Sequence, residues 1–304
     1  MSKYGSNNHL GTYFIGLCII IFIVIGIVIA KQNSDNEKNN TVVSNVEKSM
    51  NISNGIPVVV DGNEAKNIAE NKTESEANNN NNNENNNQEE ITDSRGVVYL
   101  TFDDGPTAST TPKILDILKQ YNVKATFFVL NYSDSNKDLI RREIEEGHTV
   151  GIHGYTHDYD VAYANDDAYM NNVYKLRDKI KNDFGYEAKV MRFLGGSSNT
   201  ISKNTCPGIM TRLTKRVKDE GWKYYDWNVG SSDAGGVLNE WDVVNNVRDG
   251  LSKERSNVVL MHDFDNNQFT IDALPWIIEH CKENGYKLAP ITENTPMVTH
   301  GVNN

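Results

Sequence analysis

The chain has few cysteines, three in 304 residues. Cys18 lies in an apolar run, and neither Cys206 nor Cys281 has another cysteine close to it in the sequence. The sequence therefore argues against a zinc site built from closely spaced cysteine pairs. A disulfide between Cys206 and Cys281 stays open, but two separate, partly buried thiols are the favoured interpretation.

Positive charge is also in deficit. The chain has 30 Lys and Arg residues against 41 Asp and Glu residues, which gives a formal net charge of -11. Proteins that bind nucleic acids through their phosphates are typically basic, so nucleic acid is not predicted as a partner. There is no internal sequence repeat, and we expect one folded unit and a monomer.

One long apolar run stands near the N-terminus. Residues 10–30 carry no charge, and about 21 residues is the length that crosses a bilayer as a helix. The run is long for a signal-peptide core and ends in a poor match to a cleavage site. It predicts an uncleaved, single-pass membrane anchor after a short cytoplasmic tail at residues 1–9; a cleaved signal peptide is the alternative. The long C-terminal part must then lie on one side of the membrane, and we expect it to be extracytoplasmic.

The next segment lacks apolar periodicity. Residues 31–95 are rich in Asn, Glu, Lys and Ser, and residues 76–90 read EANNNNNNENNNQEE. Such a composition cannot bury enough apolar surface to offset the entropy of the chain. We expect a disordered, Asn-rich linker between the anchor and the folded domain.

From residue 96 onward, strand and helix patterns alternate. Strands are predicted at residues 97–102, 125–130, 148–152, 188–193, 222–229, 257–261 and 286–291. Helices are predicted at residues 111–121, 138–146, 172–184, 209–220, 240–251 and 271–284. This alternation is typical of a parallel α/β sheet or barrel, and residues 96–304 are predicted to form one catalytic domain.

Polar side chains follow four of the predicted strands, where functional residues of parallel α/β folds collect. They are Asp103 and Asp104, His153 and His157, Arg192, and His262. A His-x-x-x-His pair alone is a weak metal signal. Together with a strand-end carboxylate it is a donor set of the kind that holds a catalytic metal ion with open positions, whereas structural zinc sites use Cys more often.

Four short motifs resemble one known family. They are TFDDGP at residues 101–106, HGYTH at 153–157, RFLGGS at 192–197 and LMH at 260–262. In this order they resemble the polysaccharide deacetylases with a NodB-homology domain, carbohydrate esterase family 4, over about residues 96–293. The resemblance implies a distorted (β/α) barrel and the metal-dependent removal of acetyl groups from sugars.

The resemblance also implies roles for single residues. Asp104, His153 and His157 would bind a divalent metal ion, usually zinc, with cobalt or manganese as alternatives. Asp103 would be the general base, oriented by Arg192. A nearby cation and arginine favour the ionised carboxylate that a base requires.

The remaining implied roles concern the departing amine and the substrate. His262 would be the general acid, which a histidine can be near pH 7. Its carboxylate partner would be Asp233, with Asp226 as the alternative. Substrate contacts are predicted at Leu260, which would line the acetyl-methyl pocket, and at Tyr155, Gly195 and Trp227.

Some details depart from the family pattern or stay open. Leu194 stands where the third motif usually has Pro, and Ala234 where many relatives have Trp. Trp227 could equally be a core residue, and for Tyr155 packing beside the site is the favoured interpretation. His148 is interpreted as structural and His300 as solvated.

The predicted function is a membrane-anchored, extracytoplasmic deacetylase of cell-wall glycan, acting on N-acetylglucosamine of peptidoglycan. The alternatives are a deacetylase of chitin, xylan or an exopolysaccharide, and a non-catalytic glycan-binding module.

Overall fold

The computed structural model describes residues 94–304. Within this range no helix is both long enough and apolar enough to cross a membrane. The apolar run at residues 10–30, and the linker up to residue 93, lie outside the described residues. The predictions made for them stay predictions.

Eight strands form one parallel sheet. They are β1 (Val97–Asp103), β2 (Thr126–Leu130), β3 (Thr149–Gly154), β4 (Val190–Met191), β5 (Lys223–Tyr224), β6 (Val229–Gly230), β7 (Asn257–His262) and β8 (Lys287–Leu288). The order across the sheet is β5-β4-β3-β2-β1-β7-β6, and β8 pairs with the start of β1.

Helices connect the strands, as parallel pairing requires. They are α1 (Thr111–Gln120), α2 (Lys137–Glu145), α3 (Tyr159–Ala162), α4 (Asp166–Phe184), α5 (Ser202–Thr205), α6 (Ile209–Asp219), α7 (Glu240–Gly250) and α8 (Gln268–Glu283), with a 3₁₀ turn at Asp134–Asn136. The six longer helices correspond to the six predicted ones. Helix α4 begins six residues before its predicted start, because Asn165 caps it by accepting from the Ala168 amide.

The predicted single strand at residues 222–229 is wrong. It is two short strands, β5 and β6, at opposite ends of the sheet order. Between them the chain changes partner: the Tyr225 amide donates to Met191 O, and the Asn228 amide donates to Val258 O. An apolar pattern cannot show this change, since Tyr224 and Val229, one in each half, are both buried beside other strands.

This change of partner makes the sheet curl. The four residues 225–228 join β5 to β6 and can span about 17 Å at most. Seven strands laid flat would separate the same two edges by roughly 29 Å. The sheet is therefore rolled into an open, distorted barrel of the kind predicted.

The side chains on the two faces of β1 pack in two different clusters, one outside and one inside the open barrel. Val98, Leu100 and Phe102 point to the large core under the helices. Val97 and Tyr99 alternate with them and belong to a smaller cluster inside the roll, with Phe128 from β2. Asp103 continues this inner face, at the end where the strands finish.

Candidate active site

The two adjacent carboxylates at the end of β1 have different surroundings. Asp103 is the last residue of the strand and is 3% exposed. Asp104 follows it with a φ of 78°, in the left-handed region that Asp tolerates better than most residues. The change of backbone conformation lets the two side chains serve different partners.

Asp103 is held by a fully buried arginine. Arg192 Nη1 lies 2.7 Å from Asp103 Oδ1 and also 2.7 Å from Thr101 Oγ1. Its Nε and Nη2 donate to the carbonyl oxygens of Tyr225 and Asp226, at 2.8 and 3.1 Å. Because these bonds fix the guanidinium, it holds Asp103 in one orientation and supplies the positive charge that a buried carboxylate needs.

Asp104, His153 and His157 come together as the motifs predicted. Their candidate ligand atoms all lie within 4.8 Å of one another. Asp104 Oδ1 is 3.6 Å from His153 Nε2 and 3.5 Å from His157 Nε2. The oxygen is buried and has no hydrogen-bond partner in the described part of the chain. A buried carboxylate oxygen without a partner is costly, and a cation between these three atoms would satisfy it.

The histidines are also set up as ligands. His153 Nδ1 lies 2.9 Å from Arg192 O, so it donates its proton there and leaves Nε2 free to bind a metal ion. Burial lowers the pKa of His157, with Asp104 opposing, and so favours the neutral ring that a ligand must have. The residues present therefore fit a divalent cation.

On the next strand, His262 pairs with Asp233. His262 is the register partner of Asp103 in the β1–β7 pairing. Its Nδ1 lies 2.8 Å from Asp233 Oδ1, which leaves Nε2 free of this bond. Burial opposes protonation of His262, but the hydrogen bond and charge of Asp233 outweigh it and raise the histidine pKa to about 9.

Asp226, the alternative candidate for the carboxylate partner of His262, instead binds other residues. Its carboxylate accepts from the amide and hydroxyl of Ser197, at 2.7 and 2.5 Å, and from the His300 amide at 2.7 Å. Asp226 thus ties the third-motif loop, residues 192–197, to the C-terminal segment. The interpretation of His300 as solvated is wrong, because its Nε2 lies 2.6 Å from Trp227 O and its Nδ1 3.1 Å from Ser198 Oγ.

The predicted substrate contacts have different environments. Leu260 is half-buried and shares the face of β7 that carries His262. Gly195 is exposed in the loop after Arg192, with a φ of 70°. Tyr155 is half-buried, and Lys175 Nζ lies 3.8 Å from its ring centroid, so one ring face is covered. Trp227 is half-buried and meets His300 edge-on.

Other predictions concern residues beside the site. Leu194 is buried, and its carbonyl oxygen accepts from Tyr163 Oη at 2.8 Å, which anchors the loop without the usual Pro. His148 is structural as predicted: it is buried and its Nδ1 accepts from the Ala125 amide at 3.0 Å. Cys206 and Cys281 are free thiols.

Sequence reasoning missed the residues that support Asp233. Ser231, Asn267 and Thr270 all place side-chain donors on its carboxylate, at 2.7, 3.0 and 2.6 Å. Asn267 also caps α8, which an N-cap pattern could have indicated. Its contact with Asp233 joins positions 34 apart in sequence and had no local signal.

Known proteins resemble the chain over this same region. Residues 90–206 match the family described as polysaccharide deacetylase. The putative polysaccharide deacetylase YheN of Bacillus subtilis is 33% identical over 212 residues, which cover 67% of this chain and 69% of YheN. The chain belongs to the polysaccharide deacetylase family.

Two further family members are named for an activity on peptidoglycan. A peptidoglycan-N-acetylglucosamine deacetylase of Bacillus cereus is 34% identical, over 66% of this chain and 71% of that protein. The catalytic domain of the Eubacterium rectale peptidoglycan N-acetylglucosamine deacetylase matches with a TM-score of 0.66 and 43% identity, over 69% of this chain and 94% of that one. The barrel implied by the resemblance is thus the fold of a solved family member.

Proposed function

We propose that this protein is a metal-dependent deacetylase that removes N-acetyl groups from cell-wall glycan, with N-acetylglucosamine of peptidoglycan as its substrate. One arrangement supports this proposal. Asp103 and His262 end the neighbouring strands β1 and β7. Asp103 is ion-paired with Arg192, and His262 is ion-paired with Asp233. The donor group of Asp104 and two histidines lies beside Asp103. Base, acid and metal ligands therefore share one edge of the sheet.

Asp103 is the general base in this proposal. Arg192 holds its Oδ1, which leaves Oδ2 to accept a proton from the water that attacks the acetyl carbonyl. His262 is the general acid. Because its Nδ1 is held by Asp233, its Nε2 carries the proton that is given to the departing nitrogen as the C–N bond breaks. One water is consumed, and the products are acetate and a free amine on the sugar.

Asp104, His153 and His157 would hold the cation, for which we propose zinc. Two imidazoles and one carboxylate with open positions suit catalytic zinc, and cobalt or manganese could replace it. When bound, the ion supplies Lewis acidity, which polarises the acetyl carbonyl and makes water acidic enough to react near neutral pH.

The substrate is proposed from the relatives named for peptidoglycan N-acetylglucosamine. Full-length protein, freed of metal and then given zinc, cobalt or manganese, should release acetate from acetylated peptidoglycan fragments. The metal-free protein and Asp103→Asn serve as controls. Glycan binding without acetate release under every metal condition would favour the non-catalytic module instead. Faster release from chitin oligosaccharides or acetylated xylan would change the proposed substrate.

We also propose that residues 10–30 anchor the protein in the cell membrane, with residues 31–95 as a tether and the catalytic domain outside, as a monomer. The uncharged run of about 21 residues supports the anchor. Full-length protein should fractionate with membranes and be cut by protease added to intact cells. Recovery in the soluble fraction, or full protection from the protease, would contradict this location.

A further inference from the structure

Tyr159 stands next to the metal-ligand group and has been given no role so far. It opens helix α3, two residues after His157. Its ring meets the His157 imidazole edge-on, with centroids 5.5 Å apart and planes at 77°. Asp158 caps the short helix by accepting from the amides of Asp160 and Val161. The cap fixes where the helix begins and therefore where the Tyr159 ring lies.

The hydroxyl of Tyr159 lies against the loop that follows Arg192. A Cβ atom placed on Gly195 would come within 2.4 Å of Tyr159 Oη. Gly195 also has a φ of 70°, which side chains other than Asn and Asp rarely adopt. The bare Cα at position 195 therefore leaves room for this hydroxyl, which sits between His157 and the third-motif loop.

Two buried tyrosines in this domain use their hydroxyls for hydrogen bonds within the protein. Tyr163 donates to Leu194 O at 2.8 Å, and Tyr225 donates to Thr295 O at 2.7 Å. Tyr159 is half-buried, and its hydroxyl has no hydrogen-bond partner among residues 94–304. The oxygen is not among the enclosed, unpartnered polar atoms of this range, so it faces solvent. The hydroxyl is thus available to a molecule bound at the site.

We infer that Tyr159 is a substrate-positioning residue, whose hydroxyl donates a hydrogen bond to the acetylated sugar bound beside His157 and Gly195; this rests on the proposed deacetylase function. A phenol keeps its proton at neutral pH and can donate. The acetylated sugar offers acceptors in its carbonyl and hydroxyl oxygens. Gly195 then contributes to substrate binding indirectly, because its lack of a side chain leaves space for the Tyr159 hydroxyl.

The test compares full-length, zinc-loaded wild-type protein with Tyr159→Phe, which removes only the hydroxyl oxygen. We expect kcat/KM on an acetylated peptidoglycan fragment to fall about three- to tenfold, the worth of one hydrogen bond. The Kd for zinc, from calorimetry, and the Tm should stay at wild-type values. Tyr174→Phe is the matched control, because its hydroxyl bonds Glu220 away from the site and its loss should leave kcat/KM unchanged.

Two results would overturn the inference. One is an unchanged kcat/KM in Tyr159→Phe. The other is a fall that is matched by weaker zinc binding or a lower Tm, which would mean that Tyr159 only supports His157. Wild-type protein that releases no acetate would instead refute the proposed function, so the two failures are distinguishable.

A second pair of variants tests the placement of the hydroxyl. Gly195→Ala should lower the Tm of the wild type more than it lowers the Tm of Tyr159→Phe, because the clash requires the hydroxyl oxygen. The backbone strain of alanine at this φ is the same in both proteins. Equal losses would show that the hydroxyl does not lie over Gly195.

Discussion

Asp233 holds His262 by both of its carboxylate oxygens. Oδ1 lies 2.8 Å from the Nδ1 of the ring, and Oδ2 accepts from the backbone amide of the same residue at 2.7 Å. Asn267 and Thr270 also donate to Oδ2. The carboxylate is thus immobile, and it fixes both the orientation and the proton of the imidazole.

Asp233→Asn should shift the pH at which activity is lost on the alkaline side of the pH–rate profile, which is its alkaline limb. Asp233 raises the pKa of His262 to about 9, against the burial that lowers it. With the charge removed, only the weaker effects of Asp103 and Asp104 oppose burial, so the pKa of His262 falls and less of the acid form remains at pH 8. We expect kcat to fall about 10²–10⁴-fold, with the limb shifted to lower pH. Rates measured between pH 6 and 10 check this.

Asp226→Asn is the matched control for that experiment. Asp226 is equally buried but contacts Ser197 and His300 rather than His262. It should therefore leave the alkaline limb near the wild-type position. If the alkaline limb shifts in Asp226→Asn but not in Asp233→Asn, then Asp226 rather than Asp233 is the carboxylate partner of His262.

The same pair predicts a pH-dependent stability. A histidine whose pKa is raised from 6.5 to about 9 stabilises the fold fully below 6.5, and this stabilisation is lost as the pH rises towards 9. Asp233→Asn should thus lower the free energy of unfolding by about 1–3 kcal/mol at pH 6 and by less at pH 9.5. Urea unfolding at both pH values measures the difference; an equal loss would contradict the linkage.

Substitutions of Asp103 and Asp104 should affect turnover and metal binding separately. Asp104→Ala removes the unpartnered oxygen between the two histidines and should abolish tight zinc binding. Asp103→Asn should keep the metal and lose most turnover, because the amide cannot accept the proton of the water. Metal content by mass spectrometry, with acetate release in parallel, tests the division. Identical metal content in the two variants would refute it.

Glu143 is a buried acid outside the site. It is fully buried on α2, and neither carboxyl oxygen has a hydrogen-bond partner in residues 94–304. Burial, with Asp263 adding, raises its pKa well above 4.5, so its unfavourable effect on stability grows as the pH rises above that value.

Glu143→Met should therefore stabilise the domain by about 1–3 kcal/mol at neutral pH, and by less near pH 4.5. Thermal unfolding at pH 5 and pH 8 provides the measurement. Glu145→Met, at an exposed position of the same helix, is the control and should change little. A gain that does not depend on pH would point to packing rather than charge.

Much of the fold could be predicted because local pattern and parallel pairing agree in it. The longer helices other than α4, together with β1 and β7, lie within a few residues of their predicted bounds. The segment at residues 222–229 could not be predicted, because its two halves pair with strands that are distant in sequence. Short elements such as α3 depend on one cap residue and leave no periodic signal.

The sequence by itself placed the candidate polar residues directly after strands that end on the same side of a parallel sheet. The resemblance of its motifs to a known family then implied which residues are ligands, base and acid. Only the tertiary structure decided between Asp233 and Asp226, placed His300 on the third-motif loop, and brought Tyr159 over Gly195. These contacts join residues from different loops. Their geometry depends on the curl of the sheet, which a one-dimensional pattern of residue types does not contain.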